Sequence, residues 1–275
     1  MSRFLRLTVK LSAFITFGIL FSIVSHILIK GISSLNPSLF QLEYTTDNMS
    51  LFPAMITTIM LIFLTLIIAT PIGVFTGFYL IEYAKKENRL VKIIRIATET
   101  LSGIPSIVYG LFGMLFFVIY LNFQYSLLAG TLTIGIMILP LIIRSTEEAL
   151  LSVDNSLREG SFALGAGKLN TIFKIVLPAA MPGILSGIIL SIGRIVGETA
   201  ALMFTLGTAA KIPEGLFSSG RTLALHMYVL STEGIHVNES YATGIVLLVV
   251  VMIVNYISTL LSNKLAKESR DGYKG

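Results

Sequence analysis

The sequence predicts an all-α, polytopic membrane protein, because of its composition, its long apolar runs and the distribution of its basic residues. Of the 275 residues, 54% are hydrophobic and 13% are charged, and the mean hydropathy of +0.85 lies well above that of soluble domains. A helix needs about 20 apolar residues to cross the hydrocarbon core of a bilayer. Six such runs occur, so we expect six transmembrane helices and no sizeable soluble domain.

The six predicted spans follow one another along a single transmembrane domain. They cover residues 11–32, 53–81, 101–121, 127–143, 182–206 and 241–261. Pro71 should kink the second span, and Gly103 with Pro105 should give the third a bent or partly unwound entry. Small residues at helical spacing in the second and fifth spans predict close helix packing: Gly73, Gly77, Gly183, Gly187, Gly193 and Gly197.

The basic residues predict the orientation of the chain. If the spans alternate, 16 of the 20 Lys and Arg residues fall on one side, and only Lys30, Lys211 and Arg221 fall on the other. The positive-inside rule then places both termini and the loop 144–178 in the cytoplasm. Because these charges are spread along the rims of the spans, we expect contact with lipid and no nucleic-acid binding.

The sequence gives no sign of a metal centre. There is no cysteine, which excludes thiolate catalysis and cysteine-based metal sites. His226 and His236 lie in the largest external segment, from about Gly207 to Ser240, and we interpret both as ordinary surface residues.

Arg194 is the most informative polar residue inside a predicted span. It lies twelve residues from Pro182 and twelve from Leu206, or about 18 Å from either end at 1.5 Å per residue. An arginine at this depth costs roughly 2.5–3.5 kcal/mol and should face protein or a water-filled cavity. Glu198 and Ser191 share its helix face. One hypothesis is that Arg194 contacts an anionic substrate while Glu198 holds or releases it; the alternative is an internal ion pair that only fixes helix packing.

The loop between spans four and five carries two short amphipathic segments. Its apolar residues recur at helical spacing on either side of a Gly165-Ala166-Gly167 hinge, and a Leu177-Pro178 pair ends it. This pattern predicts a helix that docks into the groove of a partner protein, with a connector lying on the membrane surface as the alternative. The run from Gly165 to Lys168 is no nucleotide-binding loop, since Leu169 follows the lysine where Ser or Thr is required.

Four motifs together resemble the permease subunits of phosphate-specific ABC importers, over nearly the whole chain. They are Gly103–Gly110; Arg144–Val153 running into a loop with the spacing of the Glu-Ala-Ala motif (Glu159, Gly165, Ile175, Leu177-Pro178); Gly193–Thr199; and Thr222–Leu230 with Ser231–Gly234. The last is similar to the PstA type of subunit. Gly160 and Ser161 stand where the family usually has two alanines, and both are small.

The resemblance implies a type I ABC importer permease fold that forms half of a phosphate pore working by alternating access in a bacterial inner membrane. It implies partners of PstC type (a second permease), PstB type (an ATPase dimer) and PstS type (an extracytoplasmic binding protein). ATP and Mg would lie on the ATPase, and this chain would be no enzyme and bind no cofactor. Translocation residues would be Arg194, Glu198, Thr199 and Ser191; ATPase-coupling residues would be Arg158, Glu159, Gly160, Ser161, Gly165, Ala166, Ile175, Leu177 and Pro178.

Three alternatives are another cargo, an intramembrane enzyme, and a structural or sensory membrane protein. Another oxyanion, such as molybdate or sulfate, is the alternative cargo, because an arginine in a cavity does not by itself discriminate tetrahedral anions. An intramembrane enzyme is disfavoured, since the sequence lacks His-Glu-x-x-His, Gly-x-Ser-x-Gly and a pair of aspartates inside the spans. A structural or sensory protein would leave the docking loop unexplained.

Overall fold

The computed structural model describes residues 3–84 and 88–271, and the ordered elements in these ranges are all helical. Of the basic residues used to predict orientation, Lys85, Lys86 and Lys274 lie outside the described residues. The all-α class is confirmed.

Five helices of the described chain are long and apolar enough to cross a membrane, and a bent pair supplies the sixth crossing if it counts as one. The long helices are α1 (Arg3–Ile32), α2 (Phe52–Phe78, extended by a π-helical turn at Tyr79–Tyr83), α5 (Leu127–Leu151), α8 (Leu177–Val196) and α11 (Val237–Asp271). The bent pair is α3 (Arg89–Ser102) and α4 (Ser106–Gly113, extended by a π-helical stretch at Met114–Tyr120), which meet at 107°.

Shorter helices connect these elements. They are a 3₁₀ turn (Pro37–Phe40), α6 (Asn155–Ala163), α7 (Lys168–Thr171), α9 (Ala200–Met203) and α10 (Leu223–Glu233). α7 runs through a π-helical turn at Ile172–Val176 directly into α8, so the apolar stretch Lys168–Val196 is one long rod.

The central helix of the fold is α5, whose apolar side chains pack on all sides. Ile134, Ile138 and Ile142 are at most 1% exposed and share a core with Leu61 of α2 and Ile195 of α8. In contrast, α1 packs mainly along α11 and leaves most of its apolar side chains exposed, as a helix facing lipid would.

Four of the glycines predicted to allow close helix packing do so. A Cβ atom on Gly73 would lie 2.6 Å from a methyl carbon of Ile142, and one on Gly77 would lie 2.7 Å from Thr146. Gly183 and Gly187 approach α5 as closely. The prediction is wrong for Gly193 and Gly197, which meet no neighbouring helix.

The structure differs from the predicted spans at two places, α5 and α8. α5 continues to Leu151, so residues 144–151 are helical and not part of a loop; Arg144 and Glu147 pair there with Glu99 and Arg95 of α3. In the third span the predicted bend at Gly103–Pro105 is confirmed: α3 and α4 meet there at 107°, because Ile104 precedes a proline and is disfavoured in helical conformation. The fifth span is not one helix to Leu206: α8 ends at Val196.

Candidate functional site

Arg194 lies in the last turn of α8 and yet at the middle depth of the bundle. Gly183 faces Ala149 and Gly187 faces Ser145. The two helices are therefore antiparallel, and an advance of four residues along α8 corresponds to four residues towards the N-terminus of α5. On this register, position 194 is level with about position 138, near the centre of Leu127–Leu151. The depth expected from the sequence therefore holds, although the helix around Arg194 is not continuous.

The break after α8 spans Gly197, Glu198 and Thr199. Glu198 is 9% exposed, and its Oε1 accepts a hydrogen bond of 3.1 Å from the backbone N–H of Ala201 at the start of α9. No ion pair joins Glu198 to Arg194 within the part of the chain that the structure describes. In this conformation Glu198 holds the broken helix together, and the predicted ion pair is replaced by this cap. Thr199 is half-buried beside it.

The guanidinium of Arg194 makes no hydrogen bond or ion pair to any described residue, and the residue is half-buried. It lines a cavity of about 630 Å³ between α5, α8 and α11, together with Leu141, Ser186, Ile189, Leu190, Gly193 and Asn255. It also lies close enough to Tyr109 of α4 to interact with it electrostatically. Its donors are thus available to an anion that enters the cavity.

Ser191 does not share this surface. It is fully buried, and its hydroxyl donates a hydrogen bond of 2.9 Å to the backbone oxygen of Gly187 on the side of α8 that packs against α5. Ala201 and Thr205 are fully buried as well. The helix face that the sequence predicts Arg194 to share with Ser191 and Glu198 is therefore divided between the cavity and the helix interface.

Sequence reasoning missed three residues near Arg194. Ser186 and Asn255 line the cavity, and Tyr109, whose hydroxyl donates a hydrogen bond of 2.6 Å to the backbone oxygen of Leu101, bridges the bend between α3 and α4. Tyr109 lies in the Gly103–Gly110 motif, which was the available signal. Asn255 stands out only as an amide in an apolar helix.

The second candidate site is the end of the bundle formed by α6 and α7. Arg158 is clamped there: its Nη2 lies 3.0 Å from Oε1 of Glu82, which extends α2, and donates to the backbone oxygen of Leu150 at 2.9 Å. Its Nη1 donates to the backbone oxygen of Val153 at 2.9 Å. Arg158 therefore fixes α6 to two transmembrane helices and offers little surface to a partner.

The turn after α6 depends on Gly165. Its φ of +80° is left-handed, which suits glycine as a helix terminator, and the N–H of Ala166 closes back on the oxygen of Ser161 at 3.1 Å. The buried Ser161 hydroxyl lies 2.8 Å from that of Thr171. The two short helices are thereby held at a fixed angle. Asp154 caps the start of α6, and the hydrogen bond from the Ser156 N–H lowers the pKa of that carboxyl.

An apolar surface remains exposed on this pair of helices. Its members, between 40% and 90% exposed, are Leu157, Phe162, Leu164, Leu169 and Phe173. Glu159 and Gly160 are exposed beside them, while Ile175, Leu177 and Pro178 are half-buried where the rod enters the bundle. Ile172 and Val176 point inward and are at most 2% exposed. Such a contiguous patch is typical of a protein-binding surface.

The opposite end of the bundle contains α10 and the segment before it. Arg221 is 5% exposed and His226 is fully buried, so the interpretation of His226 as a surface residue is wrong. The imidazole packs against the ring of Tyr44, which belongs to the segment preceding α2. His236 is partly exposed, with Nδ1 3.8 Å from Oε2 of Glu239.

Comparison with known proteins relates the chain to transport permeases. Residues 69–268 match the family described as "Binding-protein-dependent transport system inner membrane component". The chain is 33% identical to the probable ABC transporter permease protein YqgI of Bacillus subtilis, over 94% of each chain. It is 36% identical to phosphate transport system permease protein PstA 1 of Mycobacterium tuberculosis, over 71% of this chain and 64% of that protein.

A solved structure shares the fold. The inward-facing MetNI methionine ABC transporter aligns with a TM-score of 0.60 and 18% identity, over 78% of this chain and 94% of the matched chain.

Proposed function

Because the chain belongs to the family of binding-protein-dependent transport system inner membrane components, with the fold of a type I ABC importer permease, we propose that it is the transmembrane permease subunit of an ATP-driven inorganic phosphate importer. Relatives named phosphate transport system permease protein support the substrate. The observation that carries the proposal is Arg194, whose guanidinium has no partner among the described residues and lies at mid-depth beside a cavity and a helix break.

The substrate would be held by Arg194 during passage. A guanidinium donates parallel hydrogen bonds to two oxygens of a tetrahedral anion, and its charge offsets the cost of removing that anion from water. Discontinuous helices near the midplane are a recurring way to build such sites in transporters. The break at Gly197–Thr199 lets α8 and α9 tilt separately, while Glu198 keeps their ends together.

Glu198 would control release. Its carboxylate is four residues from Arg194 along the chain and at present caps α9 through the Ala201 N–H. When the break rearranges, the carboxylate can pair with Arg194 and compete with the bound anion, which lowers the affinity for the anion in the state open to the cytoplasm. Thr199 is the neighbouring hydroxyl donor.

The apolar surface of α6 and α7 would dock onto an ATPase subunit. Arg158 joins that surface to the ends of α2 and α5, so displacement of α6 is transmitted to the helices around Arg194. ATP and Mg would be bound and hydrolysed on an ATPase dimer of PstB type, with a PstC-type permease completing the pore and a PstS-type protein delivering phosphate. On this proposal both termini and α6 are cytoplasmic.

The test is ATP-dependent uptake of labelled phosphate by proteoliposomes that contain this chain, its partner permease, the ATPase and the binding protein. We expect the proteoliposomes to take up phosphate, and we expect excess sulfate or molybdate not to reduce this uptake. Uptake of a competitor without phosphate uptake would keep the permease and reject the substrate, and absence of all three with ATPase activity intact would reject the proposed function.

A further inference from the structure

Two buried side chains, Arg221 and His226, meet the half-buried Tyr44 at the end of the bundle opposite to α6. Arg221 immediately precedes the N-cap Thr222 of α10, and its guanidinium carbon lies 4.7 Å from the centroid of the Tyr44 ring. The imidazole of His226, in the first turn of α10, meets the same ring edge-on at 6.0 Å between centroids. One tyrosine thus brings a cation and an imidazole together.

Four nitrogen atoms of this cluster have no hydrogen-bond partner in the described chain, whereas the Tyr44 hydroxyl donates to the sulfur of Met49 at 3.1 Å. Nε and Nη2 of Arg221 are buried without a hydrogen bond, as are both ring nitrogens of His226. No carboxylate of the described residues lies within ion-pair distance of Arg221. Nε and Nη2 form one edge of the guanidinium, and their N–H groups point the same way. This edge is the one that matches two oxygens of an oxyanion.

The surroundings make the potential at this position positive. Arg221 adjoins the N-terminus of an eleven-residue helix, which adds partial positive charge and normally disfavours a cation. A buried cation without a counter-charge is strongly unfavourable. An anion bound at this position would be attracted both by the helix N-terminus and by the guanidinium, and it would supply the missing counter-charge.

The state of His226 adds a second recognition element. Burial, together with the charge of Arg221, lowers the pKa of His226 to about 3 against the opposing effect of the nearby Met49 backbone, so the ring is neutral at physiological pH. A neutral imidazole has one N–H donor and one acceptor nitrogen. Monohydrogen phosphate can both accept from and donate to such a ring, whereas sulfate has no proton to donate.

A route from outside reaches the edge of the cluster. A cavity of about 320 Å³ is bordered by Tyr44 and by the exposed ammonium group of Lys211, with Glu43 on its rim. Its remaining lining is apolar or backbone: Leu42, Pro53, Ala210 and Ile212. Tyr44 borders the cavity and also contacts Arg221 and His226.

We propose that Arg221 and His226 form a second oxyanion site at the outer end of the permease, covered by Tyr44, which accepts protonated phosphate before it reaches Arg194. The proposal rests on the phosphate importer function argued above. The site selects a tetrahedral anion that carries a proton, and Lys211 attracts the anion to the cavity.

Substitutions in the reconstituted importer test this site. Arg221→Gln keeps polar bulk and removes the charge, and Arg221→Lys keeps the charge and removes the two-pronged edge. We expect each to reduce phosphate uptake at subsaturating phosphate-loaded binding protein by about tenfold or more, the loss of a charge-assisted bidentate contact. His226→Leu should raise the inhibition of uptake by sulfate. Lys30→Gln, an exposed cation at the same end, is the matched control and should leave uptake within about twofold.

Chemical labelling of the importer that carries no substitution gives a test that does not depend on whether the variants fold. Phenylglyoxal reaction of Arg221 and of Arg194 is followed separately by peptide mass spectrometry, with and without inorganic phosphate or sulfate, in complexes trapped with ATP and vanadate. We expect phosphate, and not sulfate, to slow modification of Arg221. Normal phosphate uptake by Arg221→Gln, or modification of Arg221 that phosphate leaves unchanged, would overturn the outer site while the importer function stands. Absence of phosphate uptake by the unmodified complex would instead reject the importer function.

Discussion

Replacing Arg158 with methionine should release α6 from the transmembrane bundle while the rest of the fold stays intact. The side chains of Arg158 and Glu82 are only 16% and 10% exposed, and their ion pair is 3.0 Å long. The same guanidinium donates to the backbone oxygens of Leu150 and Val153 at 2.9 Å. Methionine preserves the apolar stem and leaves one buried carboxylate and two carbonyls without their donor.

The magnitude follows from these contacts. Breaking a buried ion pair costs about 3–5 kcal/mol, and the remaining solvent exposure of this pair reduces that cost to about 2–3 kcal/mol. Since every 1.4 kcal/mol is a factor of ten, local opening of α6 should become about 30- to 150-fold more frequent. The matched control is Arg144→Met, whose 3.6 Å pair with Glu99 is 45% and 70% exposed and contributes about 0–1 kcal/mol.

Hydrogen exchange measured by mass spectrometry on peptides covering Asn155–Ala163 tests this expectation in the purified importer. Amide exchange there should accelerate in Arg158→Met and change little in Arg144→Met, and ATP hydrolysis should become less tightly linked to uptake. Equal exchange in the two variants would refute the reasoning that Arg158 fastens the docking helix.

Two further predictions concern stability. Gly183→Ala places a methyl group 2.7 Å from Cβ of Ala149 and should cost about 1–3 kcal/mol of stability, measured as a lower melting temperature of the complex. The control Gly18→Ala has open space around it and should leave the melting temperature unchanged. Equal melting temperatures of the two variants would refute the close contact. Because the pKa of His226 falls to about 3 in the folded protein, the unfolded chain binds the additional proton between about pH 3 and pH 6.5, so stability should decrease on acidification by up to about 1.4 kcal/mol per pH unit. His226→Leu should remove this dependence and the partly exposed His236→Gln should keep it; an unchanged dependence in His226→Leu would show that another group is responsible.

The membrane helices and their closest contacts were predictable from the sequence because hydrophobicity and helix period decide both. Apolar runs must form helices in a bilayer, where backbone groups have no water to bind. Glycines four apart in α2 and at the start of α8 predicted the contacts with α5, and Gly73 and Gly183 make them. The depth of Arg194 also followed from residue counting.

The remaining features depend on contacts between distant parts of the chain. The helix break at Gly197–Thr199 lies within an apolar run, so hydropathy does not indicate it. It is stabilised by a tertiary detail, the hydrogen bond from the Ala201 N–H to the Glu198 carboxylate. Arg158 meets a carboxylate 76 positions away, which no local spacing indicates. Arg144 ends the apolar run by hydropathy, yet α5 continues to Leu151, and Arg144 and Glu147 there face Glu99 and Arg95 of α3.

Uptake of labelled phosphate by the reconstituted importer carrying Arg194→Lys tests the central claim most directly. Lysine keeps the charge at mid-depth and removes the planar fork that binds two oxygens. We expect uptake to fall by about tenfold or more, with the assembled complex and its ATP binding unchanged, while Lys264→Gln, an exposed cation outside both sites, transports normally. Uptake by Arg194→Lys equal to that of the unmodified importer would contradict the account.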